Sequence, residues 1–236
     1  MKKTIMCLVA ICALVLGFSA NAGAQAREQN QVAPSGYFTF DDVPGNFWYA
    51  NYVNEACVYG LMKGVSSTHF APNKAIKRAD FVTVLGRLHE QVASDIPDAK
   101  WCSFDDTVDN AYYSKYVDWA VDAEIVKGFG NNKFKPNDPI TREQMAVVLY
   151  RYIEYAGIEI TIDEPTIIII IKFNDSDDIS SWAFSAIGRL QGYGLINGDE
   201  NVCFWPQKDL TRAEAAKVYV KLHDLIFKPG IYFLEQ

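Results

Sequence analysis

Phe134-Lys135-Pro136-Asn137-Asp138-Pro139-Ile140-Thr141-Arg142-Glu143-Gln144 is the stretch that decides how this 236-residue chain folds. A Phe-x-Pro turn runs into Thr-x-x-Gln, the S/T-x-x-E/Q form of a capping box, and Met145, Val148, Leu149 and Tyr152 then recur at helical spacing. A helix is therefore predicted from Arg142, with Thr141 as its N-cap and Gln144 at the third position. Shifting the chain forward by 70 residues lays Phe204, Pro206, Thr211, Arg212 and Glu214 on this stretch, and shifting it back by 64 lays Phe70, Pro72 and Arg78 on it. The same offsets align Phe40-Asp41-Asp42 with Phe104-Asp105-Asp106, Trp48 with Tyr112 and Trp182, and Gly64 with Gly128 and Gly198. Phe173 and Asp175 open the third copy, with one extra residue before its Trp.

A fixed self-similarity of this length marks a repeat architecture, in which each unit is one supersecondary element unable to bury its apolar face alone. Each unit reads as two helices around a turn. The first helix is predicted from about residue 48 to 61, with Trp48, Tyr52, Val53 and Ala56 on one face, matched by Tyr112, Tyr116, Val117 and Ala120, then by Trp182, Ala186, Ile187 and Leu190. The second carries Phe81, Val84, Leu85 and Leu88, repeated as Met145 to Tyr152 and as Ala215, Val218, Tyr219 and Leu222. The glycines Gly64, Gly128 and Gly198 stand where a positive φ or a close backbone approach would exclude a side chain. The expectation is an all-α protein with minor extended segments, its three helix-turn-helix repeats packed as one pseudo-threefold domain.

Around this frame the chain divides as 1–26 export signal, 27–37 flexible polar lead, 38–92 repeat one, 102–156 repeat two, 157–172 Ile-rich linker, 173–226 repeat three and 227–236 tail. Met1-Lys2-Lys3, the apolar run Ile5 to Phe18 and small residues through Ala26 fit a signal peptide, too short for a membrane span. Its removal leaves about 210 residues and, with Lys2 and Lys3 lost, takes the net charge from −7 to −9. That balance disfavours nonspecific binding to nucleic acid or acidic lipid, so an anionic ligand would need a local basic site. Cys57, Cys102 and Cys203 remain, an odd number that excludes a disulfide framework; one pair such as Cys102 with Cys203 stays open beside the reading as small buried hydrophobes. Five consecutive isoleucines within 165–173 read as a covered strand or extended linker.

Phe-x-Asp, an aromatic near the first helix start, Gly, Phe-x-Pro and Ile-Thr-Arg-Glu, in this order and three times over, resemble the S-layer homology (SLH) domain across about residues 38 to 226. The resemblance implies a noncovalent anchor to cell-wall glycan, typically a pyruvylated secondary wall polymer, or to peptidoglycan as an outer-membrane tether. It also implies glycan contact by the Arg of the Thr-Arg-Ala-Glu motif in grooves between repeats, which here means Arg142, Arg212 and Arg78. A guanidinium suits an acidic sugar because its planar fork pairs with a carboxylate and also donates to hydroxyls, and a helix N-terminus would add free N–H donors.

Structural readings stand beside these. The arginines could instead pair with Asp42, Asp106 and Asp175, which otherwise serve as turn or capping residues. Trp48, Tyr112 and Trp182 could stack on a sugar face, although aromatics at a helix start are more often core. Gly64, Gly128 and Gly198 are mainly backbone requirements compatible with a ligand's approach. Copy one departs from the motif at Ile76-Lys77-Arg78-Ala79-Asp80, losing the Thr cap at a typical cost of about 1 kcal/mol. Acids at Asp199-Glu200 crowd the third turn, yet the intact motif makes the groove at Arg142 the best candidate.

No catalytic constellation is legible. The paired acids Asp41-Asp42, Asp105-Asp106 and Asp177-Asp178 lie in turns rather than across a cleft, and His69, His89 and His223 lack metal-site spacing. Asp175-Ser176-Asp177-Asp178 lacks the glycine and distal Glu of a calcium loop. No cofactor or metal is expected. Another surface protein is the alternative partner.

Overall fold

A computed structural model describes residues 37–93, 95–98, 104–160 and 173–228. The expected export signal, most of the polar lead, the Ile-rich run before Phe173, Cys102 and the tail from residue 229 lie outside them. Six helices follow in order: α1 Ala50–Val58, α2 Arg78–Val92, α3 Ser114–Asp122, α4 Arg142–Ala156, α5 Phe184–Gly192 and α6 Arg212–Phe227, with a 3₁₀ turn at Ser176–Asp178. Only isolated bridges, such as Ala75 with Thr211 and Thr141 with Asp209, add extended pairing among the described residues. None of these helices is long and apolar enough to cross a membrane.

The long helices start as the sequence predicts. Thr141 Oγ1 accepts from the Gln144 amide and Thr211 Oγ1 from the Glu214 amide, with the reciprocal bonds in place. In α2 the Thr is missing and Lys77 makes no side-chain cap, yet the helix begins at the same register. The reason is tertiary. The Arg78 amide donates to the Asp138 carbonyl and the Ala79 amide to that of Pro136, so the next unit's turn satisfies two of the first amides. The short helices have 9 residues each, and α1 is shorter at both ends than the span predicted from about residue 48 to 61. Tyr49, Tyr113 and Ala183 are buried at their starts, whereas Trp48, Tyr112 and Trp182 face outward, so these three aromatics are not core. Each short helix ends in a left-handed residue, Gly60, Glu124 and Gly194, and the second copy tolerates Glu at a position where glycine is easiest.

The two helices of a unit are not partners of each other. α3 packs on α2, α5 on α4, and α1 on α6, so each short helix covers the long helix of the unit before it and the first unit closes on the last. At the centre a cycle of three backbone bonds runs Ile76 N–H to Leu210 O, Leu210 N–H to Ile140 O and Ile140 N–H to Ile76 O, at 2.9, 2.9 and 3.2 Å. This cycle marks the pseudo-threefold axis. Phe70, Phe134 and Phe204 are fully buried beside it, each worth about 1.5–3 kcal/mol of transfer free energy. Contact of α2 with α6, where the Tyr219 hydroxyl donates to the Phe81 carbonyl at 2.6 Å, departs from strict symmetry.

Cys57 is buried in this core, and desolvation pushes its thiol up to about 12, so it behaves as a small hydrophobe; Cys203 is also a free thiol. His89 and His223 occupy equivalent positions at the C-terminal ends of α2 and α6. His89 stacks on Trp119 of α3 at 4.6 Å, and His223 on Tyr59 at 3.9 Å at the closing seam. Burial lowers both imidazoles, against the opposing pull of Glu90 on the first and Asp224 on the second. A lowered folded value means that the unfolded chain takes up the proton first. The stability these rings confer is therefore complete above pH 6.5 and is lost as pH falls through the folded value. Urea midpoints are expected to drop between pH 7.5 and 5.5, with a shallower drop in His89→Gln; a flat profile would refute this.

Candidate functional site: the grooves between units

Each repeated arginine reaches across to the Phe-x-Pro turn of the following unit. Arg78 Nε donates to the Phe134 carbonyl at 3.1 Å, Arg142 Nε to Phe204 at 2.6 Å, and Arg212 Nε to Phe70 at 2.8 Å. Every guanidinium also lies over the ring of the phenylalanine whose carbonyl it binds, at 4.5 to 4.9 Å from the centroid. Burial lowers all three from the ordinary arginine value, Arg78 to about 10, a value that leaves Arg78 charged at neutral pH.

The repeated aspartates grip the same turn from the other side. Asp42 accepts from the Phe70 and Ala71 amides, Asp106 from Phe134 and Lys135, and Asp175 from Phe204 and Trp205, all at 2.6 to 2.9 Å. These are turn-holding bonds. Burial opposes the Asp106 charge, but the Phe134 and Lys135 amides, its own backbone amide and the Lys133 charge together hold the carboxyl below its ordinary value. Arginine and aspartate thus do not pair directly; they clamp one turn between them. The clamp holds Ala71, Lys135 and Trp205 at φ of 57 to 59°, a left-handed conformation costing about 1–2 kcal/mol in an ordinary residue.

The free amide donors expected at the long-helix N-termini are already used. Arg142 N donates to Lys208 O and Glu143 N to Pro206 O, and Arg212 N and Ala213 N repeat this with Lys74 and Pro72. Nor do Gly64, Gly128 and Gly198 have positive φ. At Gly64 an added Cβ would lie 2.6 Å from the Phe40 ring and 2.8 Å from the His69 carbonyl, and at Gly128 it would meet Phe104 and the Lys133 carbonyl. The close approach is therefore made by the unit's own turn. Gly198 is looser, with its nearest neighbours at 3.0–3.2 Å in the backbone of Val202 and Cys203.

The grooves are not equivalent. In the first, Arg78 is 6% exposed and spends Nη1 on Gln144 and Nη2 on the Lys127 carbonyl, with the Phe129 ring as a second aromatic neighbour at 4.6 Å. In the one at Arg212, Nη2 donates to Lys63 O, and the Tyr112 hydroxyl bonds Asp80 across the opening. In the one at Arg142, Nη1 pairs with Glu214 at 3.0 Å and no bond reaches the carbonyl of Asn197, the residue equivalent to Lys63 and Lys127. There the turn stands away, and a cavity of about 510 Å³ opens, lined by Arg142, Gly198, Trp48, Trp205, Lys208 and Lys217 among others.

The SLH (S-layer homology domain) profile matches residues 39–82, 103–146 and 172–216, one match in each unit. The chain belongs to the S-layer homology domain family. An endoglucanase of a Bacillus species is 31% identical over 96% of this chain, the S-layer protein sap of Bacillus anthracis 28% over 88%, and a cellulosome-anchoring protein of Acetivibrio thermocellus 25% over 74%. The chain spans 23%, 24% and 37% of the lengths of these relatives.

Within the SLH frame, Trp48, Tyr112 and Trp182 occupy one position per unit and are 55%, 59% and 56% exposed. Trp48 sits beside Lys217, whose ammonium is 5.8 Å from the indole centroid. Asp199, expected to crowd an anion here, is engaged by the Asn201 and Cys203 amides and the Trp205 indole N–H. Trp205, Lys208 and Lys217 escaped the reading of the sequence. Their signal was available at the repeat offsets, where copy two has Lys135, Asp138 and Val147 and copy one Ala71, Lys74 and Thr83. For Trp205 and Lys217 it lay in where the third copy differs from the other two, and for Lys208 in a lysine shared with copy one alone. No group of three or more His, Cys, Asp or Glu among the described residues could hold a metal ion.

Proposed function

We propose that this SLH chain is an exported, noncatalytic anchor that binds acidic, pyruvylated secondary cell-wall polysaccharide, chiefly in the groove at Arg142. The observation that carries the reading is the open cavity of about 510 Å³ whose lining brings together one guanidinium, two lysines and two half-exposed indoles, beside Asp199, Glu200 and Glu214. Indole faces offer apolar stacking surface to a sugar ring, and the cations answer a carboxylate. Arg142 Nη2 makes no hydrogen bond to the described residues, so one end of the fork is available to a ligand. The relatives named for S-layers and for cellulosome anchoring add weight to a role at the cell surface.

Because Arg142 also ties two units together, its removal would disturb folding and binding at once. Trp48→Ala separates them. Its ring is 55% exposed, so the unfolding free energy from urea titration is expected to change by no more than about 0.5 kcal/mol, while co-sedimentation with purified wall sacculi falls at least about tenfold, the scale of one stacked ring. Sacculi stripped of secondary polymer by acid should no longer pellet the wild type. Binding that survives stripping would mean peptidoglycan as the ligand, and failure to bind either preparation would replace the glycan by a protein partner.

A further inference from the structure

We propose that the Asn197-Gly198 peptide is a self-modifying site, deamidating in the folded protein to aspartyl and isoaspartyl forms that weaken the Arg142 groove for an acidic glycan; the effect on glycan rests on the function proposed above. Asn197 is the one asparagine in the chain followed by glycine, whose missing side chain leaves its amide nitrogen open to the preceding carboxamide. The surroundings favour that encounter. Asn197 is exposed, in an irregular stretch after α5, and neither its carboxamide nor the Gly198 N–H makes a hydrogen bond to the described residues. Asn54, Asn132, Asn137 and Asn174, by contrast, each commit a side-chain atom to a hydrogen bond.

The turn itself is the slackest of the three. In copies one and two the residue before the glycine is Lys63 or Lys127, with its carbonyl held by an arginine fork, and the glycine is pressed by a phenylalanine ring. Copy three has neither restraint, so Gly198 can swing onto the Asn197 side chain. The deprotonated Gly198 nitrogen adds to Asn197 Cγ, and the bond from Cγ to the carboxamide nitrogen breaks. Ammonia leaves with protons from solvent. Water then opens the resulting succinimide at either carbonyl, so that amide and water become carboxylate and ammonium with no redox change. The product places a new negative charge beside Asp199, Glu200 and Glu214, against Arg142, Lys208 and Lys217, and the isoaspartyl form lengthens the main chain at the groove wall.

The test incubates the purified full chain under native, mildly alkaline conditions and follows it by isoelectric focusing and peptide mass spectrometry. An acidic species mapping to Asn197 should appear before any at Asn54 or Asn174, and Asn197→Ser should not form it. Co-sedimentation of the isolated acidic species and of Asn197→Asp with sacculi should fall several-fold. An intact Asn197 after other asparagines have changed would overturn the modification. Wild-type pelleting by Asn197→Asp would overturn its consequence. If unmodified protein does not pellet at all, the glycan reading and the consequence fall together, while the mass measurement still decides the chemistry.

Discussion

Arg78→Ala is expected to lower the stability of the folded protein by about 3–5 kcal/mol. The substitution strips partners from the Phe134 and Lys127 carbonyls and from Gln144, and it empties the space between the Phe129 and Phe134 rings. A buried acceptor left unsatisfied costs about 1–3 kcal/mol, and loss of a well-packed buried cation adds to that. For a chain of this size each kcal/mol moves the thermal midpoint by roughly 2–4 °C, so a fall of about 6–20 °C is expected. Arg78→Lys should recover less than half, because an ammonium cannot reproduce the planar fork that spans two carbonyls and a carboxamide. The measurement is the urea midpoint at unchanged slope. A loss below about 1 kcal/mol would mean that the cross-unit clamp contributes little.

The repeated glycines provide the second large effect, and it is expected to be unequal. Gly128→Ala would drive a methyl group into the Phe104 ring and toward the Lys133 carbonyl, and Gly64→Ala into Phe40 and the His69 carbonyl. Backbone carbonyls cannot retreat as a flexible side chain can, so each change should cost about 2–3 kcal/mol. Gly198→Ala also meets backbone, that of Val202 and Cys203, but at 3.0–3.2 Å a shift of a few tenths of an ångström relieves it, so the cost should be about 1 kcal/mol. Equal losses at all three positions would contradict the slack third turn, and with it the physical reason that the cavity opens at Arg142.

These two results bear on function through one arrangement. The arginine that binds the next unit's turn also forms the wall of the groove, so its bonds decide whether the groove is shut or open. Where both Nη atoms are bonded and two phenylalanine rings lie against the guanidinium, as at Arg78, little is left for a ligand. Where one end has lost its carbonyl partner, as at Arg142, an opening appears beside Trp48.

The sequence by itself determined the unit and its number. The repeat offsets, the two capping boxes and the apolar spacing from Met145 to Tyr152 and from Ala215 to Leu222 depend only on neighbours along the chain, and each lies in the structure where the pattern put it. The turn role of Asp42, Asp106 and Asp175 was legible for the same reason, since a short carboxylate is suited to accepting the amides of a turn. What passes between units was not legible. That α1 covers α6 rather than α2, that α2 can start without its Thr, and that Trp48 lies outside while Tyr49 lies inside are set by packing across 60 to 160 residues of chain. The choice among grooves belongs to the tertiary structure alone. Three arginines identical in the repeat meet different surroundings, and only the folded geometry shows that Lys127 and Lys63 close two of the forks while the carbonyl of Asn197 leaves the third unfilled.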